Sequence, residues 1–187
     1  MLKRILLSGA LGFVVLLLWT LVSNGLFGIT ARVEMGRISN EREVYEVLKE
    51  SIVTPGVYMA NPALTAGERF PAGEPVFSIC YSGFGHEAAR HMLFVDLALA
   101  FVALILTAGL LSVTSERVLS RFSNRFVFIV VVGLLLAVFG DLSKYRIGGY
   151  PLHAAALLAG YHAVSWALAG LAMAWSMRVP SDAGGAR

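Results

Sequence analysis

Four ionisable side chains fall where an apolar chain should not carry them. His91 and Asp96 stand at the start of the apolar run Met92–Val113, Asp141 closes the run Phe126–Leu142, and His153 opens the run Leu152–Met177. Ionisable groups near or inside apolar spans are costly, and they mark functional positions. If the runs cross a membrane in alternating directions, all four side chains stand at one level, with His86 and Glu87 just above. Neutral imidazoles and carboxylates together suit a divalent transition metal. His91, Asp96, Asp141 and His153 are therefore candidate metal or proton ligands. Compact ligand spacing is lacking: no H-x-x-x-H or E-x-x-H occurs, and His86 and His91 are five apart, off a single helical face. The competing reading is solvated interfacial side chains, with Asp141 paired to Lys144 or Arg146 and Asp96 to a neighbouring span.

His162 lies deeper, near the middle of the last run. Trp166 is four residues on and shares its face, with Ser165 beside it. A mid-span histidine can ligate a haem inside a four-helix bundle. Bis-histidine ligation needs a second histidine at matching depth on another run, and His91 and His153 are both shallower. His162 and Trp166 are thus assigned to packing or to a transport path, and no cofactor is expected. The same run carries Ala155, Ala159, Ala163 and Ala167 at every fourth position. Such a ridge of small residues lets another helix approach closely, within one bundle or from another subunit.

The elements that must position these residues are apolar helices. Of 187 residues, 57% are hydrophobic and 14% charged, against about 25% charged in a soluble domain. The chain reads as a membrane protein. The first run, Ile5 to Ser23, joins the three above, and all reach the ~17 residues needed to cross the hydrocarbon core, Phe126–Leu142 only just. Lys3 and Arg4 resemble the charged start of a signal peptide. The run after them exceeds the usual ~7–15 apolar residues and no A-x-A site follows, so it reads as an uncleaved signal anchor. The small basic excess, +3, fits the positive-inside bias of membrane proteins, and no basic patch with interleaved aromatics points to nucleic acid. A single cysteine, Cys80, excludes an intrachain disulfide and a four-cysteine zinc site. P-loop, G-x-S-x-G, H-E-x-x-H and C-x-x-C motifs are absent, as are the proline-broken inverted repeats of many transporters.

Direction follows from the basic residues. Lys3, Arg4, Arg117, Arg121, Arg125, Arg178 and Arg187 all fall on one side, which the positive-inside rule makes the cytoplasm. Lys144 and Arg146 oppose this assignment from the short loop between the third and fourth runs. The expected protein is a multi-pass protein of a bacterial inner membrane with both termini cytoplasmic. Residues 1–23 form the first transmembrane helix, 24–91 an extracytoplasmic segment, 92–113, 126–142 and 152–177 the other three helices, and 178–187 a polar cytoplasmic tail.

The segment 24–91 reads as a small cap. Ser39 and Asn40 suit a helix start, with Glu43 in capping-box spacing from Asn40. Val44, Val47, Leu48 and Ile52 then line one face, while Glu41, Glu46, Lys49 and Glu50 take the other. Pro55-Gly56 stops the helix. Val57-Tyr58-Met59, closed by Asn61-Pro62, and Pro75–Tyr81 read as two short strands that pair as a hairpin, the alternative being an irregular loop held by Tyr58 and the prolines. The cap's apolar face is expected on the ends of the spans. The fold class is therefore all-α membrane protein: four transmembrane helices with a small α+β extracytoplasmic cap between the first and second.

The stretches LLLWTLVSNGLF, SNEREVYEVLKES and PGVYMANP occur in that order, ahead of three further apolar runs. In this the chain resembles a group of uncharacterised four-span bacterial inner-membrane proteins. The resemblance covers the first span and the first half of the cap. Members carry more tryptophan and histidine just after the first span, where this chain has Asn24-Gly25-Leu26-Phe27. The resemblance implies a fold and a location, and no activity.

Few embedded polar groups, a small-residue ridge and a folded cap point to a non-catalytic membrane protein. Its expected role is an accessory or scaffolding subunit, with the lipid bilayer and other membrane subunits, or copies of itself, as partners. A carrier or channel for a small solute or ion is the alternative, and would need Asp96, Asp141 and His162 to face one cavity. A membrane metal-binding oxidoreductase component is a third reading, resting on the His/Asp level.

Overall fold

The computed structural model describes residues 1–61 and 73–177. Pro62, which was expected to close the first strand, and the tail 178–187 lie outside the described residues.

Among the described residues, four helices are long and apolar enough to cross a membrane. They are α1 (Leu2–Phe27), α4 (Ala89–Ser112), α6 (Phe122–Gly140) and α7 (Leu152–Ser176). Each holds the expected run, with ends displaced by up to four residues. Helix α1 stops where Gly28 turns left-handed, at φ 57°, and its N–H bonds Asn24 O. Only glycine adopts that conformation without strain, which is why it commonly ends helices. The chain then enters a short helix that the sequence pattern did not announce, α2 (Ile29–Glu34). Asn24 staples it back to α1, its Oδ1 accepting from Thr30 N (3.2 Å) and Thr30 Oγ1 (2.8 Å).

The cap has the expected elements. Helix α3 (Glu41–Ser51) starts after Asn40 and gives way to extended backbone at Ile52. The expected side-chain cap is not made: Asn40 has no capping hydrogen bond. Glu41 and Glu43 in the first turn and Lys49 in the last complement the helix dipole instead. Strands β1 (Gly56–Ala60) and β2 (Phe77–Tyr81) pair antiparallel, with Tyr58 opposite Ile79. Tyr58 Oη donates to Thr54 O (2.6 Å) and so fixes the entry to β1. Asn61, at φ 60°, donates from Nδ2 to Glu74 O (3.1 Å) and ties the far end of the hairpin together.

The bundle is ordered by chain sequence: α1 packs on α4 and α7, and α6 packs on α7, while α4 and α6 barely meet. Helices α1 and α7 are thus the shared elements, and the buried surface of α7 is the more extensive. That surface runs Ala155, Leu158, Ser165, Trp166, Ala169, Gly170, Met173. The expected alanine ridge departs from this seam: Ala155 is fully buried, but Ala159, Ala163 and Ala167 are only half-buried. The reason is geometric. At about 3.6 residues per turn, each four-residue step rotates ~40° around the helix. Three such steps carry a strict i+4 stripe well away from a single contact line.

The core lies toward the end of the bundle where α1 begins and α7 ends, here the terminal end. It comprises Leu104, Ala108 and Leu111 of α4, Ile129 of α6, and Trp166, Ala169 and Met173 of α7. Glycines permit the closest approaches. A Cβ on Gly12 would lie 2.7 Å from Met173 Cγ, and one on Gly133 would overlap the Trp166 side chain. Two side chains lock this end to the last turn of α7, where Met173 O also accepts from the Met177 N–H. Ser8 donates to Met173 O (3.3 Å), and buried Arg125 donates from Nε to Ala174 O (2.8 Å). Arg125 Nη1 also bonds Leu119 O in the short helix α5 (Glu116–Ser120).

At the opposite, cap end, the expectation that an apolar face covers the spans is corrected. The hairpin touches the turn between α6 and α7: Ser78 Oγ and Val76 Cγ1 lie 2.9 and 3.2 Å from where a Cβ on Gly148 would be. Val57 and Phe77 remain 74% and 60% exposed. Five-residue strands pair too briefly to cover four helix ends, and the hairpin meets the α6–α7 turn at Gly148.

Candidate functional site

The site grows from an offset between two helices. Helix α6 ends at Gly140, and Asp141 follows as its cap, bonding Ala137 O through its N–H. Helix α7 does not begin until Leu152. The intervening chain folds back on itself through a single 3-10 turn, Leu142–Lys144, with Lys144 N–H to Asp141 O (3.0 Å) and Tyr150 N–H to Lys144 O (2.9 Å). Because α6 stops short, its last residue meets α7 part-way along its length. The residue it meets is His162.

Asp141 is buried, 4% exposed. Its Oδ2 lies 2.6 Å from His162 Nδ1 and its Oδ1 lies 3.3 Å from Lys144 Nζ. Burial of a carboxylate is tolerable when both oxygens are bonded to positive or donor groups. The Lys144 ammonium also lies 5.5 Å above the Tyr150 ring, a cation–π contact. Aromatic and hydroxyl groups of α1 complete the surroundings. The Tyr161 ring tilts against His162 (5.1 Å between centroids) and stacks on Trp19 (6.4 Å). Tyr161 Oη donates to Thr20 Oγ1 at 3.3 Å. Trp19 Nε1 is buried without a hydrogen-bond partner among the described residues.

Only part of the expected constellation is brought together. Asp141 is in the site, and of its two expected partners Lys144 is the one it takes. His91, Asp96 and His153 are exposed and make no hydrogen bond or ion pair among the described residues. Asp141 is therefore paired with His162, and none of the other three candidates is bonded to it. His153 lies nine positions before His162, about 14 Å along α7 at 1.5 Å per residue. His91 and Asp96 sit on α4, which barely touches α6. Among the described residues, no group of three or more His, Cys, Asp or Glu side chains is placed to hold a metal ion. Trp166 shares the His162 face as expected, but it serves the core, packed over Gly133.

Sequence reasoning missed Trp19, Thr20 and Tyr161. A signal for the two on α1 existed: that helix is apolar from Gly9 to Trp19 and then carries Thr20, Ser23 and Asn24. Ser165 offers no nucleophile here, since its hydroxyl donates to Tyr161 O at 2.7 Å. What the site presents is a carboxylate-backed imidazole. Asp141 fixes one ring nitrogen and so determines how the other is presented.

In comparisons with known proteins, no family model matches the chain, and no curated protein or solved structure is significantly similar to it.

Proposed function

We propose that the protein is a non-catalytic membrane protein that works by binding, as an accessory or scaffolding subunit. The observation that carries this reading is the uncovered apolar surface of the cap. On α3, Tyr45 and Val47 are 59% and 58% exposed, and even Val44 and Leu48 are only half-buried. Val53, Val57, Phe77 and Phe84 add to the exposed apolar area. An isolated exposed side chain of this kind is ordinary; a cluster on one small unit marks an interaction surface. A groove of about 480 Å³ between α3 and β2, lined by Leu48, Ile52 and Ile79, belongs to the same surface.

Lys3, Arg4, Arg117, Arg121 and Arg125 gather at the terminal end. The positive-inside rule then supports a cytoplasmic terminal end and an extracytoplasmic cap, in a bacterial inner membrane. The test is purification from the native host in gentle detergent, with the intact particle weighed by native mass spectrometry. A stoichiometric foreign subunit is expected on the wild type. It should be lost from Val47→Glu while the helical content stays unchanged. A lone monomer or homo-oligomer would sink the reading.

An ion or small-solute carrier is the second reading, favoured by the Asp141–His162 pair within the bundle. Asp96, which that reading needs at the same cavity, is bonded to neither residue. The packed residues Ile129, Trp166 and Met173 on the terminal side of the pair also weigh against a continuous path.

A further inference from the structure

We propose that the Asp141–His162 pair is a proton-binding site, open toward the cap and sealed toward the terminal end, whose charge sets how firmly the α6–α7 turn is held. The starting state follows from the contacts. Asp141 faces the Lys144 ammonium, so it is a carboxylate. Two bare acceptors would repel at 2.6 Å, so His162 Nδ1 carries the shared proton and Nε2 is the bare acceptor. The His162 side chain is 42% exposed, and Nε2 has no partner among the described residues. It is therefore the atom that accepts a proton.

The surrounding groups make the site one-sided. From α6 and its turn come Asp141 and Lys144; from α7 comes Tyr161; from α1 come Thr20 and Trp19, which carry no charge. Helix α2 reaches the turn through Glu34, which accepts from Tyr150 Oη at 3.4 Å. Helix α4 bonds no ionisable group to the pair. Toward the terminal end stand Trp166, Ile129 and Met173, all buried and apolar. Lys144, 39% exposed, forms the open side.

Proton uptake adds one N–H bond at Nε2 and breaks none. The cluster of Asp141, Lys144 and His162 then changes from net neutral to one positive charge. Two cations compete for one carboxylate, and His162, held by the rigid helix α7, keeps it. Lys144 sits on a flexible stem beside solvent and is the one released. Its release removes the cation–π contact with Tyr150 and loosens the turn 145–150. The hairpin rests on that turn at Gly148, so the signal reaches the cap. The link to partner binding rests on the proposed accessory role; the proton site does not.

The test uses the full chain in detergent, with isotope-labelled histidine for NMR and amide hydrogen exchange read on the same samples. On a pH series taken from about 8 down to 5, the charge of His162 is read from its ring nitrogens. Protection of residues 145–150, corrected for intrinsic exchange, should fall about fivefold or more over that range. The fall should be absent in His162→Gln and in Asp141→Asn, and present in His86→Gln. A wild-type His162 whose charge is constant over that range overturns the proposal, even if the variants fail to fold. So does a His162→Gln protein that keeps the pH-dependent fall. Neither result touches the partner seen by mass spectrometry, so the two readings fail separately.

Discussion

The two ends of the bundle hold α7 by different means. At the terminal end the contacts are apolar packing plus two side-chain donors, Ser8 and Arg125, on backbone carbonyls of α7. Backbone carbonyls do not titrate, and an arginine keeps its charge at any physiological pH. This end has one state. At the cap end α7 is held by Asp141 on His162 and Tyr161 on Thr20, side chain to side chain. Smaller buried apolar residues, Ala137, Ala154, Ala155 and Leu158, pack at this end outside the main core cluster. Packing fixes geometry, while a bonded ionisable pair fixes it only for one charge state. One bundle therefore combines an unconditional end with a conditional one.

Substitutions should rank the two ends. The largest effect is expected from Gly133→Leu, which drives a branched side chain into Trp166. Overpacking of this kind costs about 3 kcal/mol or more where neither backbone can move. Thermal unfolding of the detergent-purified protein should show loss of the cooperative transition. Next comes Arg125→Leu, which leaves the carbonyls of Ala174 and Leu119 without that donor. Roughly 2 kcal/mol is expected for buried groups left unsatisfied, read as a fall in melting temperature that is the same at all pH values. The smallest is Asp141→Asn, where the amide still reaches His162. About 1 kcal/mol is expected, confined to the cap end, with hydrogen exchange in the core of α7 unchanged. If Asp141→Asn destabilises the core as much as Arg125→Leu, the two ends are one cooperative unit and the contrast fails.

Local pattern was legible wherever one element decided the outcome. The apolar runs became α1, α4, α6 and α7, and the stripe Val44, Val47, Leu48 and Ile52 marked α3, although Val47 is exposed and Ile52 stands just past the helix end. The hairpin followed from the β-branched and aromatic residues between Pro55-Gly56 and Asn61. The alanine spacing misled because a four-residue repeat is not the helical period, so the contact line passed through Leu158, Ser165 and Ala169 instead. Helix α2 was missed because six residues hold too little periodicity to be seen, and its anchor is a side chain six positions upstream, Asn24.

For the candidate site, the sequence supplied Asp141, Lys144 and His162 as separate polar residues and offered Lys144 or Arg146 as partner of Asp141; the structure takes Lys144. It could not pair Asp141 with His162. Those residues are separated by a helix end, a folded turn and the first part of another helix. Depth counted along each run placed Asp141 with His153, since both stand at run ends. Depth in the bundle depends on how far α6 stops short of the start of α7, and that offset is set by the turn through Lys144 and Tyr150. By itself, then, the sequence determined four apolar helices, a cap and the identity of the costly polar residues, because hydropathy and periodicity are local properties. Tertiary structure alone decided which of those residues meet, because relative helix height is a property of packing and turn geometry that no single segment encodes.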